Sequence, residues 1–186
     1  MAWNIDASHS QVTFSLKHMM ISTVRGRFDV LSGQLEIDEA HPENSWVEAL
    51  VDAASINTHE EKRDGHLKSP DFFEVEKYPN ITFKSTKVEP IGDHEYRVTG
   101  NLTMHGVTKE ETFTAEYSGI LPKDLYGMQR AGFNAKGSIN RKDYGLNWNV
   151  ALETGGVLVG EKVNIEIDLA AVQQAPVAEA AAAQSA

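Results

Sequence analysis

The chain of 186 residues contains no cysteine, and its basic residues are few, with 17 Lys and Arg against 27 Asp and Glu. The absence of cysteine excludes a disulfide framework, a thiolate zinc site and a cysteine nucleophile. The formal net charge of −10 makes nucleic acid an unfavourable partner, because phosphate backbones attract cations. An anionic membrane surface is disfavoured for the same reason.

Long hydrophobic runs are also missing. No stretch approaches the ~18 apolar residues that a membrane-spanning helix needs. The N-terminal sequence MAWNIDASHSQVTF lacks the basic and apolar regions of a secretory signal peptide. We therefore predict a cytoplasmic protein, with the mature form of a periplasmic protein as the alternative.

What the sequence does contain is a series of short segments in which apolar and polar residues alternate. Val12, Phe14 and Leu16 alternate with polar residues in the first of these segments. A period of two is typical of a strand with one buried face, and the short turns between segments join antiparallel neighbours. The pattern predicts an all-β protein, an eight-stranded antiparallel barrel whose closure removes exposed edges, with a two-layer sandwich as the alternative.

Residues 58–78 interrupt the alternation with a charged insert. Thr58 and Glu61 have the spacing of a capping box at a helix start. Ser69-Pro70 predicts a second helix start, with Ser as the N-cap and Pro at the first helical position. We predict that this short helical insert covers one end of the barrel as a lid.

The predicted lid offers both polar and apolar contacts. Arg63, His66 and Leu67 have i, i+3 and i+4 spacing and would share one helix face. Arg63 and His66 could meet a polar or anionic head group, or could form only structural contacts at the barrel rim. Leu67, together with Phe72 and Phe73, should face the cavity.

The interior of the barrel is the predicted binding site. Eight strands leave room either for core side chains that fill the barrel or for one small ligand. Met19 and Met20 follow the first strand and are suited to lining a mouth. The candidate ligand-binding residues are Phe14, Leu16, His18, Met19, Met20, Phe28, Arg63, His66, Leu67, Phe72, Phe73, Phe83, Leu102, Phe133 and Tyr144.

Motifs for metal binding and covalent catalysis are weak or absent. His59-Glu60 begins the pattern of a zinc-protease helix, but Arg63 stands where that pattern needs its second His. The Gly-x-Ser-x-Gly motif of a serine nucleophile is missing. We therefore predict no metal, no cofactor and no catalytic residue.

Six separated motifs, taken in order between about Trp3 and Leu169, resemble the YceI-like family of bacterial lipocalin-like proteins. They are Ile5-Asp6-x-x-His9-Ser10, Gly26-Arg27-Phe28, Arg63-Asp64-Gly65-His66-Leu67, Tyr78-Pro79-x-x-x-Phe83, Gly100-Asn101-Leu102-Thr103-Met104-His105-Gly106-Val107-Thr108 and Asn140-Arg141-Lys142-Asp143-Tyr144-Gly145. The resemblance implies a lipocalin-like barrel, residues 1–171, that holds a polyisoprenoid such as an isoprenoid quinone or a polyprenyl phosphate. The Ala- and Gln-rich tail, residues 172–186, is outside the family pattern, and we predict that it is disordered.

The function that this resemblance implies is lipid binding without catalysis, as a carrier or a store. One alternative is sequestration of assorted hydrophobic small molecules under stress. Another is a lipid-modifying enzyme that uses His18, His66 or Asp64 as an acid or base. Beyond the lipid, we expect no nucleic acid or metal partner, and we leave a homodimer open.

Overall fold

The computed structural model describes residues 2–173 and is built mainly of β-strands. The strands are β1 (Trp3–Ile5), β2 (Gln11–His18), β3 (Ser22–Phe28), β4 (Leu31–Glu36), β5 (Trp46–Asp52), β6 (Ile56–Asn57), β7 (Asn80–Gly92), β8 (Glu95–Met104), β9 (Val107–Leu121), β10 (Arg130–Asn140) and β11 (Lys162–Gln173). One α-helix, α1, covers Glu61–Lys68. Four short 3-10 turns cover Ala7–His9, Pro42–Asn44, Ala53–Ser55 and Arg141–Tyr144.

Antiparallel pairing closes the sheet into a barrel. The ring runs in the order β1-β4-β5-β7-β8-β9-β10-β11, and β1 pairs with β11 to complete it. β2, β3 and β6 extend the wall along the other half of β11. Because β1 and β2, β3 and β4, and β5 and β6 are consecutive along the chain, each pair forms one interrupted strand of the wall. The predicted eight-stranded antiparallel barrel is confirmed.

Alternation along the strands places the apolar side chains inside the barrel. In β11 the inward residues are Val163, Ile165, Ile167 and Leu169. A register shift between Ser85 and Lys87 in β7 changes the parity of that strand. Phe83 before the shift and Val88 after it therefore both face the interior. The core of the protein is thus the inner surface of the barrel wall.

The two ends of the barrel are built from different connections. At the end that we call the lid end lie the insert 58–79, the turns 19–21 and 105–106, and the segment 141–161. At the opposite end, which we call the far end, lie the connections 37–45, 93–94 and 122–129. The helical insert therefore covers the lid end.

The insert begins differently from the capping box predicted at Thr58 and Glu61. α1 starts after Glu60, whose carboxylate accepts hydrogen bonds from two N–H groups of the first turn. Thr58 is buried, and its N–H and hydroxyl both donate to Oδ1 of Asp64, at 2.9 and 2.5 Å. Because the Thr58 hydroxyl is occupied in this way, it does not cap the helix, and that part of the prediction is wrong.

The second helix predicted at Ser69 does not form. Residues 69–77 make consecutive turns with no helical hydrogen-bond ladder. The N–H groups of Phe73 and Val75 donate back to the carbonyls of Leu67 and Lys68 in α1, at 2.9 and 3.1 Å. These donors are therefore unavailable to a second helix, and the chain folds back beneath α1.

The last strand extends beyond the boundary predicted at residue 171. Val172 and Gln173 continue β11 and pair with β1. The rest of the predicted tail, residues 174–186, lies outside the described residues. Among the residues that the structure describes, no helix is long and apolar enough to cross a membrane.

Asp6 fixes the break between β1 and β2 and ties it to β10. Its carboxylate accepts hydrogen bonds from the N–H and hydroxyl of Ser8 and from the guanidinium of Arg130. The Ser8 hydroxyl, followed by Arg130, holds the pKa of Asp6 well below its usual range. Ionised Asp6 therefore contributes to the stability of the fold.

Asp6→Asn should lower the free energy of unfolding by about 1–2 kcal/mol at neutral pH. A carboxyl whose folded pKa lies below its unfolded pKa stabilises the fold above the unfolded value, near 3.9, and loses this contribution as the pH falls towards the folded value. The wild-type protein should consequently lose stability below about pH 4 more steeply than the variant. Urea unfolding of both proteins at several pH values measures this, and parallel profiles would contradict the assignment.

Candidate functional site

The barrel encloses an apolar cavity of about 630 Å³. Arg63 and Trp148 line it at the lid end, and Glu39 and Trp46 line it at the far end, so it runs the length of the barrel. The volume lies within the range of ~300–1,000 Å³ that is usual for small-molecule sites. The alternative in which core side chains fill the barrel completely is therefore wrong.

Most of the predicted ligand-binding residues line this cavity. Those that do are Phe14, Leu16, His18, Phe28, Arg63, His66, Leu67, Phe72, Phe73, Phe83, Leu102 and Phe133. Met19 and Met20 do not line it, because they occupy the turn between β2 and β3 and are exposed to solvent. Tyr144 is also outside the lining. It is fully buried, and its hydroxyl donates to Glu111 at 2.7 Å.

Glycines on the wall make room for aromatic rings that face the cavity. A Cβ at Gly100 would lie 2.7 Å from the ring of Phe83, and a Cβ at Gly137 would lie 2.6 Å from the ring of Phe113. The two rings contact each other edge to face, with centroids 5.4 Å apart. Because glycine lets a ring approach the backbone this closely, both rings lie against the wall, and the middle of the barrel stays open.

Aromatic residues attach the lid to the lid end of the barrel. Phe72 is buried, and its ring centroid lies 5.4 Å from that of Trp148 in the segment 141–161. Phe73 meets Phe28 of β3 edge to face at 5.8 Å. His66 packs against both Phe72 and Trp148, at 5.1 and 4.7 Å. α1 itself has no fully buried residue, and Leu67 packs against the core only partly buried, so these aromatic contacts supply much of the packing that holds the lid.

Both predicted head-group residues also contact neighbouring protein groups. Arg63 donates from Nε to the hydroxyl of Thr58 and from a terminal nitrogen to its carbonyl, each at 2.8 Å. Nε2 of His66 lies 2.8 Å from the carboxylate of Asp71. The structure brings Arg63 and His66 together at the lid end of the cavity and gives each a structural contact as well.

The alternative function of a lipid-modifying enzyme depends on His18, His66 or Asp64 as an acid or base. Asp64 accepts two hydrogen bonds from Thr58, and His66 is occupied by Asp71, whereas His18 lines the cavity from β2. Two of the three candidate acid or base residues therefore have structural partners. Within residues 2–173, no group of three His, Asp or Glu side chains comes together as a metal site requires.

Sequence reasoning missed Arg141, the one buried charged residue of the described chain, which is 3% exposed and lines the cavity. Its guanidinium donates four hydrogen bonds of 2.5–3.1 Å to backbone carbonyls. The acceptors are the carbonyls of Leu146, Trp148, Val159 and Gly160. Burial lowers the pKa of Arg141, although the nearby Glu161 opposes this change.

Arg141 holds the segment 146–160 against the lid end of the barrel. This segment contains almost no charged residue and makes few regular strand contacts, so its buried carbonyls need a donor from elsewhere. The signal in the sequence was the position of Arg141 at the end of a strand, directly before such a segment. That signal becomes specific only once the fold places the guanidinium beneath the segment.

Arg141→Met should destabilise the fold by about 3 kcal/mol or more, because several buried carbonyls lose their donor at once. Lys142→Met is the matched control. Lys142 forms an exposed ion pair with Glu161, and its loss should cost less than about 1 kcal/mol. Chemical unfolding of both variants measures the difference, and equal losses would show that Arg141 is not the structural centre of this segment.

Charged residues that line the cavity are divided by sign between its ends. Three cations lie at the lid end and three carboxylates at the far end, namely Lys62, Arg63 and Arg141, and Glu36, Asp38 and Glu39. At the far end Tyr117 donates to Glu39 at 2.9 Å, and burial, followed by this bond, raises the pKa of Tyr117. The lining of the cavity is therefore cationic at the lid end and anionic at the far end.

An antiparallel barrel closed around an apolar cavity places this protein in the lipocalin-like class. Within that class the chain belongs to the YceI-like family, since the YceI-like domain matches residues 3–171. The resemblance drawn from the six motifs is confirmed.

Relatives share both the sequence pattern and the barrel. The UPF0312 protein SA2479 of Staphylococcus aureus is 41% identical over 164 residues, which cover 88% of this chain and 93% of the relative. The YceI protein of Campylobacter jejuni is 32% identical, with a TM-score of 0.71 over 86% of this chain and 90% of that structure. A polyisoprenoid-binding domain from Saccharophagus degradans has the same fold at 20% identity, with a TM-score of 0.68 over 92% of this chain and 98% of that structure.

Proposed function

We propose that the protein binds a long polyisoprenoid lipid in the barrel cavity, as a carrier or store, without catalysis. The observation that carries the proposal is the continuous apolar cavity of about 630 Å³ between two polar ends. The shared fold of the Saccharophagus degradans polyisoprenoid-binding domain supports it. An isoprenoid quinone and a polyprenyl phosphate are the two ligand classes that we consider.

The cavity volume indicates how much of a lipid chain is held. An apolar cavity of about 150 Å³ accommodates one benzene molecule. By this measure, about 630 Å³ accommodates roughly 25 carbon atoms, or about five isoprene units. At about 0.3 kcal/mol per atom these carbons contribute about 7.5 kcal/mol, which corresponds to a low-micromolar Kd. The chain alone can supply this affinity, and a head group at the lid end then mainly fixes the orientation.

Affinity should rise with isoprenoid length. Each added unit of five carbons is worth about 1.5 kcal/mol, or roughly tenfold in Kd, until about five units fill the cavity. Displacement of a fluorescent apolar probe by prenyl alcohols of increasing length measures this series. Linear alkyl alcohols of equal carbon number are the control for selectivity, and an affinity that is independent of length would contradict the proposal.

Phe83→Ala should weaken binding of a long prenyl alcohol by about tenfold, because the aromatic wall loses apolar contact area. Arg63→Ala should change it by less than about threefold, since Arg63 is hydrogen-bonded to Thr58 and touches only the polar end. Phe83→Leu keeps an apolar side chain and serves as the control. Titrations in which Arg63→Ala has the larger effect would show that the head group, and not the chain, dominates affinity.

Mass spectrometry of lipid extracted from the purified protein distinguishes the proposed function from its alternatives. An intact isoprenoid is the expected result. A mixture of unrelated apolar molecules would favour sequestration under stress, and a chemically modified lipid would favour a lipid-modifying enzyme. Either of these two results would overturn the proposal.

A further inference from the structure

The turn between β2 and β3 exposes three consecutive large apolar residues at the lid end. Met19, Met20 and Ile21 are 49%, 59% and 85% exposed. Met19 and Met20 also adopt left-handed backbone conformations, with φ of 54° and 67°. Non-glycine residues occupy this region at an energetic cost, which makes a tip of two methionines an unusual choice for a plain turn.

The segment 146–160 lies beside this turn and is hydrogen-bonded to it. The N–H of Met19 donates to the carbonyl of Leu158 at 2.8 Å, and the N–H of Leu158 donates to the carbonyl of Val150 at 2.9 Å. Val150 is exposed as well. We call the four residues Met19, Met20, Ile21 and Val150 the mouth patch.

The mouth patch lies over the cavity wall. Leu16 and His18, which precede the turn, and Val24, which follows it, all line the cavity. Leu158 and its neighbour Val159 line the cavity from the adjoining segment. The same two chain segments therefore present apolar residues to the cavity on one side and to solvent at their tip.

The local charge around the patch differs from that of the whole protein. The β2–β3 hairpin, residues 11–28, contains Lys17, Arg25 and Arg27 and no acidic residue, in a chain with a net charge of −10. Arg27 forms an ion pair with Asp29 at 2.6 Å, so Lys17 and Arg25 supply the positive charge of the hairpin. The segment 146–160 contains a single charged residue, Glu153. The hairpin is thus a cationic element with an apolar tip, which is the combination that binds at a lipid headgroup layer.

A second exposed apolar loop lies at the far end and has a different setting. Leu125 is 99% exposed, and Tyr126 is exposed next to it. The connections at the far end carry an excess of carboxylates, including Asp38 and Glu39. The lid-end connections also carry more carboxylates than cations, so net charge does not choose between the two apolar tips. No residue from 121 to 130 lines the cavity, whereas both chain segments of the mouth patch do, and this proximity to the ligand site selects the mouth patch.

We propose that the mouth patch docks on the surface of a phospholipid bilayer, with Met20 and Ile21 inserted among the head groups. This inference rests on the proposed function, because a lipid ligand must be exchanged with a membrane. Burial of the apolar tip supplies the attraction, and Lys17 and Arg25 face the phosphates. The net charge of −10 opposes tight attachment, so the contact is weak and reversible.

Co-sedimentation with vesicles of phosphatidylcholine and a minor fraction of phosphatidylglycerol tests the docking surface. The wild-type protein should bind, and the double variant Met20→Ser/Ile21→Ser should bind about tenfold or more weakly, because two apolar anchors are lost. Leu125→Ser/Tyr126→Ser, at the far end, is the matched control and should bind like the wild type. Thermal unfolding of all three proteins establishes that they remain folded.

The outcomes separate the docking surface from the proposed function. Binding of a prenyl alcohol should be unchanged in both double variants, since none of the four substituted residues lines the cavity. Vesicle binding that survives Met20→Ser/Ile21→Ser, or that is lost only in the far-end variant, overturns the docking surface and leaves lipid binding intact. Absence of prenyl alcohol binding in every protein overturns the proposed function. If the wild-type protein is a dimer and Met20→Ser/Ile21→Ser is a monomer, the partner of the mouth patch is a second copy of the chain. That result also overturns the membrane assignment.

Discussion

The pairing of β1 with β11 is the constraint on which the rest of the structure depends. It closes the sheet, so the alternation of each strand places one set of side chains inside a single enclosed space. An open sheet with the same sequence would need a second layer to cover its apolar face. Closure covers that face without a second layer. The enclosed space becomes a cavity wherever the side chains of opposite walls do not meet.

The cavity stays open because of several local features of its wall. Gly100 and Gly137 allow Phe83 and Phe113 to lie close to the backbone, and the register shift in β7 keeps Val88 on the inner face. At the lid end, Arg141 satisfies four carbonyls of a segment that would otherwise have unpaired polar groups beside an apolar space. Hydrogen bonding in this segment thus supports the shape of the cavity.

The two ends of the barrel have different properties. Contacts among His66, Phe72 and Trp148 join the lid to the segment 141–161, while carboxylates gather at the far end. The lid end also carries the cationic hairpin and its exposed apolar tip. This polarity relates the proposed head-group position to the proposed docking surface, because both lie at the lid end of the barrel.

The sequence was enough to predict the all-β class, the antiparallel barrel, the family and most of the cavity lining, because strand alternation is local and each inward residue follows from its neighbours. It did not determine the start of α1, since the choice between Thr58 and Glu60 depended on the position of Asp64 in the folded insert. The placement of Met19 and Tyr144 outside the cavity, and of Arg141 in its wall, depended on contacts between residues far apart in the chain. These placements follow from the folded structure, because several connections meet at a barrel end, and their packing turns each side chain inward or outward. No local pattern in the sequence encodes that packing.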